Sequence, residues 1–258
     1  MCETCGCSIP DVSHAVMPDV MHNHEYPAPV RTETVEVLKG LMHANDHAAV
    51  HNREHFDRSG VLVINLMSSP GAGKTRLLER TAEALGDRFR IAVIEGDLET
   101  ENDAERLRAG GVRAHQITTG SACHLDAHMI HKALHEFPLA VDGQPTDILF
   151  IENVGNLVCP AAFDLGQHLN VVLLSTTEGD DKPAKYPVMF RAADLVLISK
   201  ADLLPVLDDF SVERAEKSLR QIGVETPMLR TAAGRTHELS AWLEWLESSL
   251  EAWRAAAA

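Results

Sequence analysis

Residues 68–75 read Ser-Ser-Pro-Gly-Ala-Gly-Lys-Thr, wedged between an apolar run and a helical one. Two glycines, a lysine and a hydroxyl in that order are the parts of a phosphate cradle. Gly71 and Gly73 let backbone N–H groups approach phosphate oxygens with no Cβ in the way. A helix beginning directly behind them adds partial positive charge. Lys74 would reach the outer phosphates, and the Thr75 hydroxyl would ligate Mg2+. Ala72 and Arg76 complete the stretch expected along the nucleotide. Against the pattern G-x-x-x-x-G-K-S/T, Ser68 stands where the first glycine belongs. A plain glycine turn would leave Lys74 unexplained, so the strand–loop–helix setting favours a nucleotide.

Which base it carries is a matter for a later segment, "LVLISKADLL", with Ser199-Lys200-Ala201-Asp202 at a strand end. Guanine-reading loops carry Asn-Lys-x-Asp, whose carboxylate accepts two hydrogen bonds from guanine N1 and N2. Adenine lacks that pair of donors, so a buried Asp202 would select guanine. The Lys200 stem would lie over the base, and Ser199 replaces the asparagine that ties loops together. A third segment, "DILFIENVGN", ends in Glu152-Asn153-Val154-Gly155, where many GTPases carry Asp-x-x-Gly. Glu152 would act on Mg2+ directly or through water, and the Gly155 N–H would touch the γ-phosphate. Asp97, in "VIEGDLET", either ligates Mg2+ or orients the attacking water. Lys74, Asp97, Glu152 and Gly155 are thus the catalytic candidates.

These groups need a scaffold. "VLVINL" (61–66), "IAVIEG" (91–96), "DILFIE" (147–152), "NVVLLS" (170–175) and "LVLIS" (195–199) are short apolar runs suited to parallel strands buried on both faces. Helical stretches such as "RLLERTAEAL" and "CHLDAHMIHKALHEF" alternate with them. The expected fold is α/β, a doubly wound, mostly parallel sheet. Residues 32–258 would form this P-loop GTPase domain, led by a helix over 32–57. Residues 1–31 lack helical or strand period and read as a flexible N-terminal arm. Within the leading helix His43, His47, His51 and His55 recur every fourth residue, stacking imidazoles along one side. A solvated histidine face explains that stripe more simply than a metal site does.

Composition limits the remaining choices. A net charge of −15 argues against nucleic-acid binding, which needs clustered Lys and Arg. No apolar run approaches the ~20 residues needed to span a bilayer, and no basic-then-apolar leader opens the chain. A cytoplasmic setting is expected, where cysteines stay reduced and available to metals.

The stretches "CETCGC", "NLMSSPGAGKT", "EGDLETENDAERLRAGG", "GSACHLDAHMI", "FIENVGNLVCP", "EGDDKPAKYPVMF" and "LISKADLLP" occur here in one order spanning nearly the whole chain. Together they resemble the HypB family of hydrogenase nickel-incorporation GTPases. The resemblance implies a slow, regulatory GTPase that binds Ni2+ and supports its insertion into nickel–iron hydrogenase. It implies GTP or GDP and Mg2+ at Gly71, Gly73, Lys74, Thr75 and Asp97, with Lys200 and Asp202 reading guanine. It places metal roles on Cys2, Cys5 and Cys7, and on Cys123, His124 and Cys159, the latter set able to take Ni2+ or Zn2+. A GTP-favoured homodimer, a nickel-delivery partner of the HypA type and the hydrogenase large subunit are the implied partners. One departure is the last guanine-contacting loop, which reads "LRTAAG" and keeps only Gly234 clearly.

Three of the five cysteines crowd the tip. They are too few and too local for a zinc ribbon. With the terminal amine or a backbone nitrogen they can wrap one ion in a planar N,S set, which Ni2+ favours. A disulfide switch and an adventitious zinc site are the competing readings. Among whole-protein alternatives, a urease-type nickel GTPase would not carry the Cys-x-x-Cys-Gly-Cys start. Asp202 disfavours an ATP-dependent ligase. Intact Lys74 and Thr75 disfavour a metal-storage protein with a vestigial nucleotide site.

Overall fold

The computed structural model describes residues 31–257 apart from 142 and 235–237, with backbone alone for 31–39 and 41. The expected arm, with Cys2, Cys5 and Cys7, lies outside the described residues. The chain divides into two units, Met1–His43 and Ala44–Ala258. That division falls inside the first helix, α1 (Arg31–Ser59). In the second unit, α1 buries Asn45, Ala48, Ala49, Asn52 and Phe56, a face of three-to-four spacing.

The expected buried strands form as β1 (Leu62–Ser68), β2 (Ile91–Asp97), β6 (Ile148–Glu152), β7 (Leu169–Ser175) and β8 (Leu195–Ser199). Two further strands, β3 (Arg113–Thr118) and β9 (Met228–Arg230), occupy the sheet edges. The order is β3-β2-β6-β1-β7-β8-β9, and every pairing is parallel. A separate antiparallel pair, β4 (Ala140–Val141) and β5 (Gln144–Pro145), precedes β6.

Helices cover both faces. Leu62, Ile64 and Leu66 of β1 pack with Leu77 and Leu78 of α2 (Lys74–Leu85), Leu107 of α3 (Asn102–Ala109), and Trp242, Leu246 and Leu250 of α8 (Ser240–Ala257). Val63 faces the opposite way, with Phe56 of α1 and Ile130 of α4 (Ala127–Glu136). Beyond α5 (Lys182–Lys185), Met189 and Phe190 of α6 (Pro187–Arg191) and Leu219 of α7 (Val212–Gln221) extend that second layer under β7 and β8. Alternate side chains of one strand therefore enter two cores, which is why these runs are continuously apolar. Each fully buried side chain of this size contributes about 1.5–3 kcal/mol. Trp242 satisfies its indole by donating to Thr81 Oγ1 at 2.8 Å.

All parallel strands end at one edge of the sheet. The segments after β1, β2, β6 and β8 meet there, with β1 in the middle of the order. Loops at the carboxyl ends of such strands form the usual ligand crevice.

Candidate functional site

The phosphate loop has the backbone that its glycines allow. Gly71 and Gly73 adopt φ of 72° and 97°, and Gly73 caps α2 without any side chain. Lys74 is buried and donates to Ser68 Oγ at 3.1 Å. The residue standing at the missing glycine thus supplies a hydroxyl that holds the lysine along the loop. Thr75, also buried, donates from Oγ1 to Glu152 Oε1 at 2.8 Å. Gly155 packs on the same loop so closely that a Cβ there would sit 2.8 Å from Pro70 Cα.

Three carboxyl groups gather beside Lys74. Ligand atoms of Glu95, Asp103 and Glu152 all lie within 4.8 Å of one another. Burial pushes the Glu152 carboxyl up to about 7, against the pull of Lys74 and the Thr75 hydroxyl. Burial, then Glu152 and Asp97, push Glu95 to about 8. Oε2 of each glutamate is buried without a hydrogen-bond partner. Asp97 lines the same cavity of about 240 Å3, but its carboxylate is turned to its own loop, accepting from the Glu99 N–H and Thr100 Oγ1, both at 3.2 Å. Sequence reasoning passed over Glu95 and Asp103. Glu95 did leave a signal, as the lone carboxylate inside an apolar run; Asp103 left none.

The raised Glu95 carboxyl has a consequence for the chain free of metal and nucleotide. Its contribution to stability is full below the unfolded value of 4.5 and is lost as pH rises through about 8. Glu95→Gln removes that loss. The melting temperature of the variant relative to wild type should climb between about pH 5 and about pH 8.5. A difference that stays constant across this range would show that Glu95 is not held protonated.

Residues Ala72, Arg76, Ser199, Lys200, Asp202 and Gly234 line a second cavity of about 360 Å3 on the other side of the loop. Ser199 Oγ donates to Ala72 O at 2.7 Å, tying the β8 end to the phosphate loop. Lys200 has φ 55° and is held by Thr176 Oγ1, which donates to its carbonyl at 3.0 Å. Its Nζ lies 3.4 Å from Thr177 Oγ1. Asp202 is half-buried at the cavity wall.

The candidate metal trio also comes together. Cys123 Sγ lies 3.1 Å from Cys159 Sγ and 3.8 Å from His124 Nδ1. Neither cysteine is in a disulfide. His124 stacks on Phe163 at 4.0 Å between ring centres, and burial lowers its pKa. A neutral imidazole and two thiols make a donor set for a borderline cation. Cys123 and His124 precede α4, whose N-cap is Asp126, accepting from the Met129 N–H at 2.8 Å.

Two asparagines that sequence reasoning did not single out join the trio to the phosphate side. Asn153, fully buried beside Glu152, accepts the Leu125 N–H at Oδ1, 3.1 Å. Asn156 donates to the Cys123 carbonyl at 3.2 Å.

A parallel sheet with this loop, these carboxylates and this base-sized cavity defines a P-loop nucleotide-binding protein. Residues 62–230 match the CobW/HypB/UreG, nucleotide-binding domain family. The hydrogenase maturation factor HypB of Rhizobium leguminosarum bv. viciae is 51% identical over 218 residues, covering 83% of this chain and 70% of the relative. That of Escherichia coli K12 is 49% identical over 214 residues, covering 83% and 72%. The crystal structure of HypB from Helicobacter pylori in complex with nickel superposes with TM-score 0.76 at 44% identity, covering 81% of this chain and 95% of that one. The chain belongs to the HypB family of hydrogenase maturation factors. No helix among its described residues is long and apolar enough to cross a membrane.

Proposed function

We propose that this chain hydrolyses GTP slowly and uses the nucleotide cycle to gate the handling of nickel for insertion into nickel–iron hydrogenase. The observation that carries the reading is the short bonded path between the two sites. Gly155 presses on the phosphate loop at Pro70, its neighbour Asn156 holds the Cys123 carbonyl, and Asn153 holds the Leu125 N–H. Cys159 lies four residues beyond Gly155 on the same segment. A shift of that segment with the γ-phosphate would move one thiol relative to Cys123 and His124. The nickel bound by the Helicobacter relative supports the cargo.

The hard oxygen donors around Lys74 fit Mg2+, and the partnerless Oε2 atoms of Glu95 and Glu152 are what such an ion would satisfy. Thr75 and Glu152 would hold it, and Asp97, turning in from its own loop, would either join them or orient the attacking water; bound there, the ion would neutralise charge on the transferring phosphoryl group. Lys74 draws the outer phosphates inward, and the Gly155 N–H meets the γ-phosphate. Asp202 and Lys200 read guanine. At the metal trio, three side chains leave a four-coordinate ion one donor short. A second copy sharing its Cys159 across a two-fold axis would complete it, giving a GTP-favoured homodimer. Zn2+ would fit the same donors. The tip cysteines Cys2, Cys5 and Cys7 would carry a second, mobile nickel ion. The ion passes between a delivery partner of the HypA type and the hydrogenase large subunit.

Coupling between sites is reciprocal by linkage and commonly about 5–150-fold. The test takes the full chain with Cys2, Cys5 and Cys7 changed to alanine. Ni2+ is titrated with GDP and with a non-hydrolysable GTP analogue. The two affinities should differ by a factor in that range, and Asn156→Ala should shrink the difference. Identical affinities in both states would leave a static metal site and sink the gating reading.

A further inference from the structure

We propose that His131 and His135 of α4, once His51 and His55 of α1 turn their rings toward them, bind one divalent transition cation of the Ni2+ or Zn2+ kind at a sulfur-free site apart from the Cys123–His124–Cys159 group. It goes beyond the nickel-handling role proposed above and stands on its own geometry. His131 and His135 are one turn apart, and their Nε2 atoms face each other at 3.3 Å. Two imidazoles on one tetrahedral ion, with metal–nitrogen bonds of about 2.0–2.1 Å, hold their nitrogens about 3.3 Å apart. The pair already stands at that separation. From the facing helix, the His51 ring meets His131 edge-on with 5.1 Å between centres. His55 lies one turn beyond His51, close enough for His51, His131 and His135 all to lower its pKa, after burial and Arg58.

The juxtaposition of the helices is fixed by buried bonds rather than by the histidines. Asn52 donates to the Ala127 carbonyl at 2.8 Å, and Asn45 accepts the Ala127 N–H at 2.9 Å. Both asparagines are buried on α1. They pin that helix to the first residue of α4, so the two i, i+4 histidine pairs share one surface. Close packing also favours the ligating form. The pKa of His131 is lowered by burial, then by His135, His51 and His128. Neutral imidazoles suit nickel, zinc and copper and need no proton displaced on binding. Within the stripe expected on α1, the ring contact with His131 selects His51, and His55 lies one turn beyond it.

The test uses the full chain and Ni2+ alone, comparing wild type with His131→Asn/His135→Asn and with His51→Gln/His55→Gln. Equilibrium dialysis counts nickel, and near-ultraviolet absorption reports thiolate bonded to nickel. Each double variant should lose one equivalent, with the thiolate absorption unchanged. His135→Asn alone, at an exposed position, should weaken that equivalent by at least about tenfold and guards against misfolding of the doubles. Wild-type stoichiometry and affinity in all variants would overturn the site and leave a solvated imidazole cluster. Loss confined to the α4 pair would overturn the bridge between helices. Loss of thiolate absorption with the histidines would assign them to the cysteine sites and overturn the separate site.

Discussion

Replacing Lys74 by alanine is expected to lower GTP turnover by about 10²–10³-fold while the chain stays folded. The lysine is buried, yet its ammonium is bonded to the polar loop rather than packed in the apolar core. It spans the loop to Ser68 Oγ at 3.1 Å and faces the carboxyl group of Glu152. In the proposed mechanism charge would develop on the transferring phosphoryl group beside that ammonium, and a fixed cation in a partly dry site is worth more there than in water. Folding should survive, because Glu152, already raised to about 7 by burial, takes up a proton when its cation is gone. The measurement is steady-state phosphate release, with circular dichroism as the control. Turnover within a few-fold of wild type would remove Lys74 from the chemistry.

Asp202→Asn should exchange the nucleotide preference. A carboxylate accepting from guanine N1 and N2 makes two charge-assisted bonds of about 1.5–3 kcal/mol each, so GTP affinity should fall by about 10²–10⁴-fold. Asparagine presents an amide N–H₂ where guanine also donates. Xanthine, with a carbonyl in place of the 2-amino group, becomes the better match, and xanthosine triphosphate should gain where GTP loses. ATP binding should hardly change. Competition against a fluorescent nucleotide reads all three. If wild type binds GTP and ATP equally, the guanine assignment fails with it.

The interior strands were legible because a strand buried on both faces is apolar at nearly every position. The edges were not. "RAHQIT" is only half-buried along β3 and pairs with β2 on one side alone, so no hydrophobic run marks it. The short β9 is hidden for the same reason. Around the phosphates, the loop could be read because its chemistry is backbone geometry, which glycine reports directly. Glu95 and Asp103 join the site through tertiary approach from a strand interior and a helix first turn, which spacing does not encode. Asn153 and Asn156 act through backbone partners far away in sequence, so nothing local distinguishes them from loop asparagines. The histidine stripe was half legible. Its period on α1 was visible, but the histidines that answer it belong to α4, and buried asparagines bring the two helices together.

Lys200 is the non-glycine residue with positive φ among the described residues, at 55°. Holding a lysine in that conformation costs about 1 kcal/mol or more of folding free energy. Glycine or asparagine would adopt it more easily. Selection for heat resistance alone would therefore drift away from lysine here and improve the empty protein while discarding the stem proposed to cover the base. On the function proposed above, position 200 is a trade between durability and ligand capture.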